Sequence, residues 1–483
     1  MKTGVYIMMF ALLLTGCNDF LKETSQDEVR PSTVSDLEQI LVGEAYLSDY
    51  NIYNITDIFT DNMECYGVQN EKMQGIFDGL KWRYTWDNDM FAKAGGGNLP
   101  IFWEVPYKGI GGCNVVLDHL DKMYGKTDLR ENLRGEALVL RAWYYFQLVN
   151  LYGFPYNYGD PKQNLGVPLK LNSSVKDEKF TRNTVAEVYE QIEKDLLKGC
   201  KLLKDHEVEK EYFRIGYIAT QAILSRVYLY MENWDKVIEH VNTALTNAPA
   251  LVDLTTYQLS NTFLPQYSTN NIISRDFPEV IFINGGVTGR IKTEATLIKV
   301  SESRSDGGLL SLYEPSDARK GIFFSEMNMY YKYWMAKRGT QEQGFVWRTA
   351  ELYLNRAEAY AGKYAAGDNS CGQKSADDLD ALRSKRLSDF TAYTLTTPED
   401  LIEFCHEERR RELCFESHRW FDLRRYGMPS IKHSWYDASG NRTVYTLKER
   451  DLGYALPIPQ DAMDTNSALK QNELAPERIG EMN

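Results

Sequence analysis

The run AILSRVYLYMENWDKVIEHVNTAL, Ala222 to Leu245, restricts the fold more than any other stretch of the chain. Small residues at Ala222 and Ser225 precede Tyr228 and Leu229. A short break follows at Glu232-Asn233, and Trp234, Val237, Ile238, Val241, Ala244 and Leu245 come after it. Apolar positions recur every three or four residues on both sides of the break, the spacing of two amphipathic helices joined by a tight turn. Small residues let such a pair approach closely while large ones fill the groove, as in a tetratricopeptide helix pair. Two further segments have this character. In LRGEALVLRAWYYFQLVNLYG, Leu133, Ala137, Leu140, Tyr144, Leu148 and Leu151 fall on one helical face, and AELYLNRAEAYAG, Ala350 to Gly362, is the third. The period between these pieces is irregular, so they predict a mainly α fold: a tetratricopeptide-like scaffold carrying a large loop-rich portion and a few short strands.

Local signals place several helix starts. Ser35-x-x-Glu38 and Thr184-x-x-Glu187 have capping-box spacing. Thr397 is an N-cap followed by Pro398 at the first helical position and acids in the first turn. Trp82, Tyr84 and Trp86 alternate with the period of a strand, which predicts three aromatics on one face. A second strand is expected at Val280 to Ile283, and a second aromatic cluster gathers Tyr330, Tyr331, Tyr333 and Trp334. Aromatics make up 13% of the chain, enough to pack a helical core and still leave a surface on which a ligand stacks.

The N-terminus reads as a signal peptide. Lys2 is followed by an apolar run, Val5 to Leu14, too short to span a bilayer. The order Leu14-Thr15-Gly16-Cys17 resembles the bacterial lipobox, in which the cysteine is acylated and becomes the first residue of the mature chain. Cys17 is therefore the expected lipidation site. One acyl chain anchors only marginally, and several hold a protein to a bilayer without a helix. The expected layout is a signal peptide at 1–16, an acylated N-terminus and tether at 17–34, an N-terminal region with the helix pairs at 35–250 and a C-terminal region at 251–483. The six remaining cysteines match no zinc spacing and are expected as buried thiols, with room for one disulfide.

Catalytic signatures fail on inspection. A net charge of -13 opposes binding to nucleic acid. The stretch CHEERRRELCFESHRWFDLRRYG, Cys405 to Gly427, starts like a zinc-protease helix, but Arg410 stands where the second histidine belongs. Its Glu408, Arg411, Glu412 and Glu416 have the spacing of a helical charge lattice. KGIGGCN, Lys108 to Asn114, lacks the order of a phosphate loop, and no G-x-S-x-G elbow occurs. No catalytic residue, metal site or cofactor is assigned.

These stretches, in order, resemble a known family: LLLTGCNDFL at the start, FWEVPYKGIGGCNVVLDHL at 102–120, GEALVLRAWYYFQLVNLYGFP at 135–155, ILSRVYLYMENWDKVIE at 223–239, AELYLNRAEAY at 350–360, ERRRELCFESHRWFDLRRYG at 408–427 and YALPIPQDAMDTN at 454–466. The chain is identified as a member of the SusD/RagB family of nutrient-uptake lipoproteins. It departs from the family pattern at Cys414, Ser417 and Tyr426, none of which has a ligand role. The resemblance implies four helix pairs with an irregular portion packed on them. It also implies a non-catalytic protein, lipid-anchored in the outer membrane and facing the cell exterior. Such a protein binds an oligosaccharide and forms the lid of a SusC-like TonB-dependent transporter. Peptide or other non-glycan cargo, and a helical scaffold without a ligand, are the alternatives. Family ligand residues do not transfer by motif. The binding candidates, from position and chemistry, are Trp82, Tyr84, Trp86, Asp61, Tyr331 and Trp334. A core place competes with a ligand-binding one for each aromatic, most strongly for Tyr84 and Trp86.

Overall fold

The computed structural model describes residues 31–47, 56–65, 74–93, 101–176, 178–211, 213–262, 268–284, 298–302, 307–327, 331–335, 337, 345–437 and 439–482. Cys17, the lipobox and the tether before residue 31 lie outside the described residues. Six helices build the first half of the scaffold: α1 (Val34–Glu44), α2 (Gln74–Tyr84), α3 (Met90–Lys93), α4 (Ile101–His119), α5 (Thr127–Tyr152) and α6 (Val185–Asp205). Then come α7 (Tyr217–Tyr230), α8 (Trp234–Leu245), α9 (Arg319–Phe323), α10 (Thr349–Ala365), α11 (Ser370–Arg383), α12 (Pro398–Leu413), α13 (Arg419–Arg425) and α14 (Gln460–Thr465). Helices pack in the sequence α1, α4, α5, α6, α7, α8 and α10, with α11 and α12 both laid on α10.

Two contacts explain the closeness of these pairs. A Cβ on Gly135 would stand 2.9 Å from the Leu203 side chain, and one on Gly199 would stand 2.9 Å from the Gly135 carbonyl oxygen. The backbones of α5 and α6 therefore meet where both residues lack a side chain. Likewise Gly362 of α10 lies under the Trp234 indole, which a Cβ would approach to 2.6 Å. The predicted turn is present: α7 ends at Tyr230, Glu232 has φ 55° and Asn233 caps α8.

The capping boxes at Thr184 and the cap at Thr397 form as expected. The first helix starts earlier than the Ser35 signal indicated. Thr33 is its N-cap, and Asp36 returns a bond to the Thr33 N–H at 2.9 Å. Thr33 also sits in a bridge with Tyr124, which fixes the register of entry. The expected strand at 280–283 is β2 (Val280–Asn284), paired antiparallel with β6 (Phe345–Arg348). The other strands are β1 (Met63–Cys65) with β3 (Ile298–Val300), β4 (Phe324–Met327) with β5 (Tyr331–Met335), and a three-stranded sheet of β7 (Ile431–Tyr436), β8 (Arg442–Leu447) and β9 (Glu481–Met482). All six described cysteines are buried and free.

The charged stretch after Cys405 is not one helix. α12 stops at Leu413, Phe415 and Ser417 take positive φ (59° and 63°), and α13 begins at Arg419. Its charges pair along the helix as the lattice spacing predicts, but most of its carboxylates also reach other elements. Along the helix, Arg411 pairs with Glu408 at 2.9 Å and with Glu407 at 3.3 Å. Glu412 accepts from three arginines drawn from three elements: Arg348 Nη1 at 2.5 Å, Arg386 Nε at 3.0 Å and Arg319 Nη1 at 3.0 Å. Glu279 bridges Arg348 and Arg386, Glu416 pairs with Arg348 and Lys337, and Arg319 also holds Asp317 and Glu408. Five carboxylates and five cations, counting Arg411, close this buried set with formal charge balanced.

Two consequences can be measured. Glu412→Gln leaves three arginines short of a counter-charge, a loss of about 3–5 kcal/mol, read as a large drop in Tm. The pH dependence has a fixed sign. Burial alone would raise the Glu408 carboxyl, but Arg319 and Arg411 hold it down at about 2. Its contribution is complete above an ordinary carboxylate pKa of about 4.3 and is lost as pH falls from there toward 2. Burial lowers His240 and His433 to about 4, so the unfolded chain takes up protons first as pH drops below about 6.5. Calorimetry should show Tm falling progressively below about pH 6.5 and more steeply below about pH 4.3.

Candidate functional site

The structure divides the six ligand candidates. Trp82 and Tyr84 lie on the last turn of α2, and Trp86 is in the turn beyond it with φ 51°. The strand expected here is absent because the helix runs to Tyr84, which separates the three rings instead of aligning them. Tyr84 and Trp86 are both about 1% exposed. Each stacks on His433 of β7 with ring centroids 4.1 Å apart, so the imidazole lies between them. The Tyr84 hydroxyl accepts from Cys65 N–H at 3.0 Å, and the Trp86 indole N–H donates to Phe59 O at 3.0 Å. Both rings are spent on the core and offer no face to a ligand.

His433 has Nδ1 2.6 Å from Tyr84 O and Nε2 3.0 Å from Thr60 O. Two carbonyls favour the imidazolium and burial disfavours it; burial wins, and the pKa drops to about 4. Asp61 is also engaged structurally. Its carboxylate receives Arg419 Nε at 2.9 Å and Nη2 at 2.7 Å, with Arg410 Nη2 at 3.3 Å. Burial opposes the ionised form, yet these two guanidiniums hold the carboxyl well below its usual range. Two of its acceptor sites are thereby taken by Arg419 and held in a fixed geometry.

Trp82 differs. It is half-buried, and Lys81 Nζ and Lys93 Nζ stand 5.1 and 4.9 Å from its ring centroid, within cation–π range. Lys93 is fixed by Asp87 Oδ2 at 3.0 Å, a bond that raises its pKa. α3 carries Lys93 toward Trp82 and also places Phe91 in a groove of about 270 Å³. Asn88, Asp89, Ile458, Asp461 and Leu474 line the same groove. Sequence reasoning missed this groove, since YALPIPQDAMDTN was read only as a closing motif.

Tyr331 and Trp334 lie in β5, opposite Met327 and Ser325 of β4. Their side chains are outside the described residues. The backbone links the two candidate regions: β5 lies against β3, β3 pairs with β1, and β1 meets Tyr84 through the Cys65 N–H. No group of histidine, cysteine, aspartate or glutamate with metal-holding geometry occurs among the described residues, and no described helix is long and apolar enough to cross a membrane.

The structure thus combines a helix-pair scaffold, buried ion pairs and a groove beside α3. Two family models match the chain. One, described as starch-binding and associating with the outer membrane, covers residues 19–229; the other, the SusD family, covers 260–474. The chain belongs to the SusD/RagB family, whose members are binding proteins associated with the outer membrane. Solved structures agree in fold. A SusD superfamily protein of Bacteroides thetaiotaomicron is 24% identical, with TM-score 0.69 over 91% of this chain and 100% of that one. A SusD-like carbohydrate binding protein of Bacteroides vulgatus is 21% identical, with TM-score 0.68 over 91% and 97%. Surface glycan-binding protein A of Bacteroides uniformis is 19% identical, with TM-score 0.65 over 91% and 99%. No curated protein matches the chain.

The division between core and platform aromatics is directly measurable. Trp86→Ala removes a buried ring and its hydrogen bond, a loss of about 3–5 kcal/mol. Trp82→Ala removes a half-buried ring and should lower Tm by less than half as much in the same thermal melts.

Proposed function

We propose that this protein is a surface-exposed outer membrane lipoprotein, anchored through Cys17, that binds an oligosaccharide. It acts as the lid of a SusC-like TonB-dependent transporter and hands its cargo down for import without cleaving it. The family match across both halves of the chain carries this reading. Trp82 supports it, because a partly exposed indole offers a sugar an apolar surface while its neighbours Lys81, Asp87 and Lys93 bring hydrogen-bonding groups. Trp82 and the Phe91 groove are the proposed ligand surface, together with Tyr331 and Trp334 of β5. Tyr84, Trp86 and Asp61 are assigned to its support.

One glycan array probed beside a mixture of peptides tests the cargo. Binding to glycans is expected, with Trp82→Ala weakening the best of them about tenfold, the equivalent of one stacking contact. Binding to peptides alone would sink the glycan reading. The anchor and the partner are tested in cells. Cys17→Ala should abolish incorporation of labelled palmitate and release the protein from the membrane fraction. The parent chain should co-purify with a barrel transporter and be shaved by protease from intact cells; a protein that stays protected and comes alone contradicts the lid role.

A further inference from the structure

A small cavity lies between α5, α7 and the turn that follows α12, walled largely by aromatic rings but reached by several buried polar side chains. Trp143 and Gln147 enter it from α5, Arg226 from α7, and Glu416 and Ser417 from the turn. All five are at least nine-tenths buried. The indole Nε1 of Trp143, both amide atoms of Gln147 and the Ser417 hydroxyl have no hydrogen-bond partner among the described residues. Arg226 commits Nε and Nη2 to Glu351, each at 2.6 Å. A buried amide or hydroxyl without a partner costs about 1–3 kcal/mol, and three side chains with unpartnered polar atoms around one cavity point to a guest.

Size and charge identify it. The cavity is about 20 Å³, against the roughly 10–15 Å³ that one water requires, and far too small for a sugar ring. An ion has no call on the site, because Glu416 is neutralised by Arg348 and Lys337 and Arg226 by Glu351. The guest is neutral and both donates and accepts. We infer that this cavity is a buried hydration site, in which water accepts from the Trp143 indole N–H and bridges the Gln147 amide to the Ser417 hydroxyl. The bridge ties the helix pairs to the turn that carries Glu416 into the ion network. It is independent of the transport reading.

Two measurements test it. A high-resolution crystal structure of the parent protein should show an ordered water within hydrogen-bond distance of at least two of Trp143 Nε1, Gln147 and Ser417 Oγ. Gln147→Met keeps the side-chain volume and removes the amide. With water in place it strands that water's partners and lowers Tm by about a few degrees. In a dry cavity it removes an unpaired amide and raises Tm. A dry cavity in the crystal, or a Gln147→Met protein melting at or above the parent, overturns the inference.

Discussion

Glu412 is the point on which the second half of the molecule turns. Its two oxygens receive Arg348 from the junction of β6 and α10, Arg386 from beyond α11 and Arg319 from α9. No two of these elements are joined by a short connection to Glu412 itself, so the carboxylate sets their mutual positions. Bringing such charges out of water costs several kcal/mol per ion, and the attraction between them repays this only with complete pairing. The pairing is complete here: Glu279 also accepts Val252 N–H at 2.8 Å, and Lys337 donates to the Glu412 and Cys414 carbonyls. An apolar core of equal volume would hold these elements as strongly; what the ion pairs add is fixed geometry, with Arg348 of β6 bonded to Glu412, Glu416 and Glu279 at once.

That geometry positions the rest. Arg348 is the residue before α10, so the network fixes where α10 begins, and α10 carries Gly362 to its contact with Trp234. A second set of bonds continues along α10: Arg226 pairs with Glu351, Arg409 donates to Asn355 and Arg425 pairs with Glu358. The helix pairs contribute close backbone approach through Gly135 and Gly199, and the ion pairs contribute direction.

The elements read correctly from sequence are those whose causes are local. The box at Thr184, the cap at Thr397, the turn at Glu232-Asn233 and the strand at 280 each depend on residues a few positions apart. The failures are non-local. Trp82, Tyr84 and Trp86 fit a strand period, yet 82 and 86 also fit one helical step, and three residues cannot separate the two. What decides is His433, 349 positions from Tyr84. The same holds for the charges after Cys405, whose i, i+4 spacing is satisfied equally by a solvated face and by a buried cluster. Their partners at Glu279, Arg319, Arg348 and Arg386 carry no mark in the sequence of being buried.

Aromatic content was the least informative signal for the ligand site, and the helices show why. Trp143, Tyr144, Tyr145, Phe146 and Tyr152 all belong to α5 and all are buried, and Tyr228 and Tyr230 of α7 join them. Pairs that approach through glycine and alanine leave deep grooves on either flank, and large flat rings fill those grooves. The scaffold therefore buries many of the chain's aromatics. Among the described residues, Tyr124 is the one aromatic that is fully exposed. A ring available to a sugar must then be one that packs an edge against the body and leaves part of itself outside. Trp82 meets that condition because Asp87 and Lys93 hold the loop beyond α2 against it, whereas Tyr84 and Trp86, two and four residues later, are claimed by a histidine from the far end of the chain.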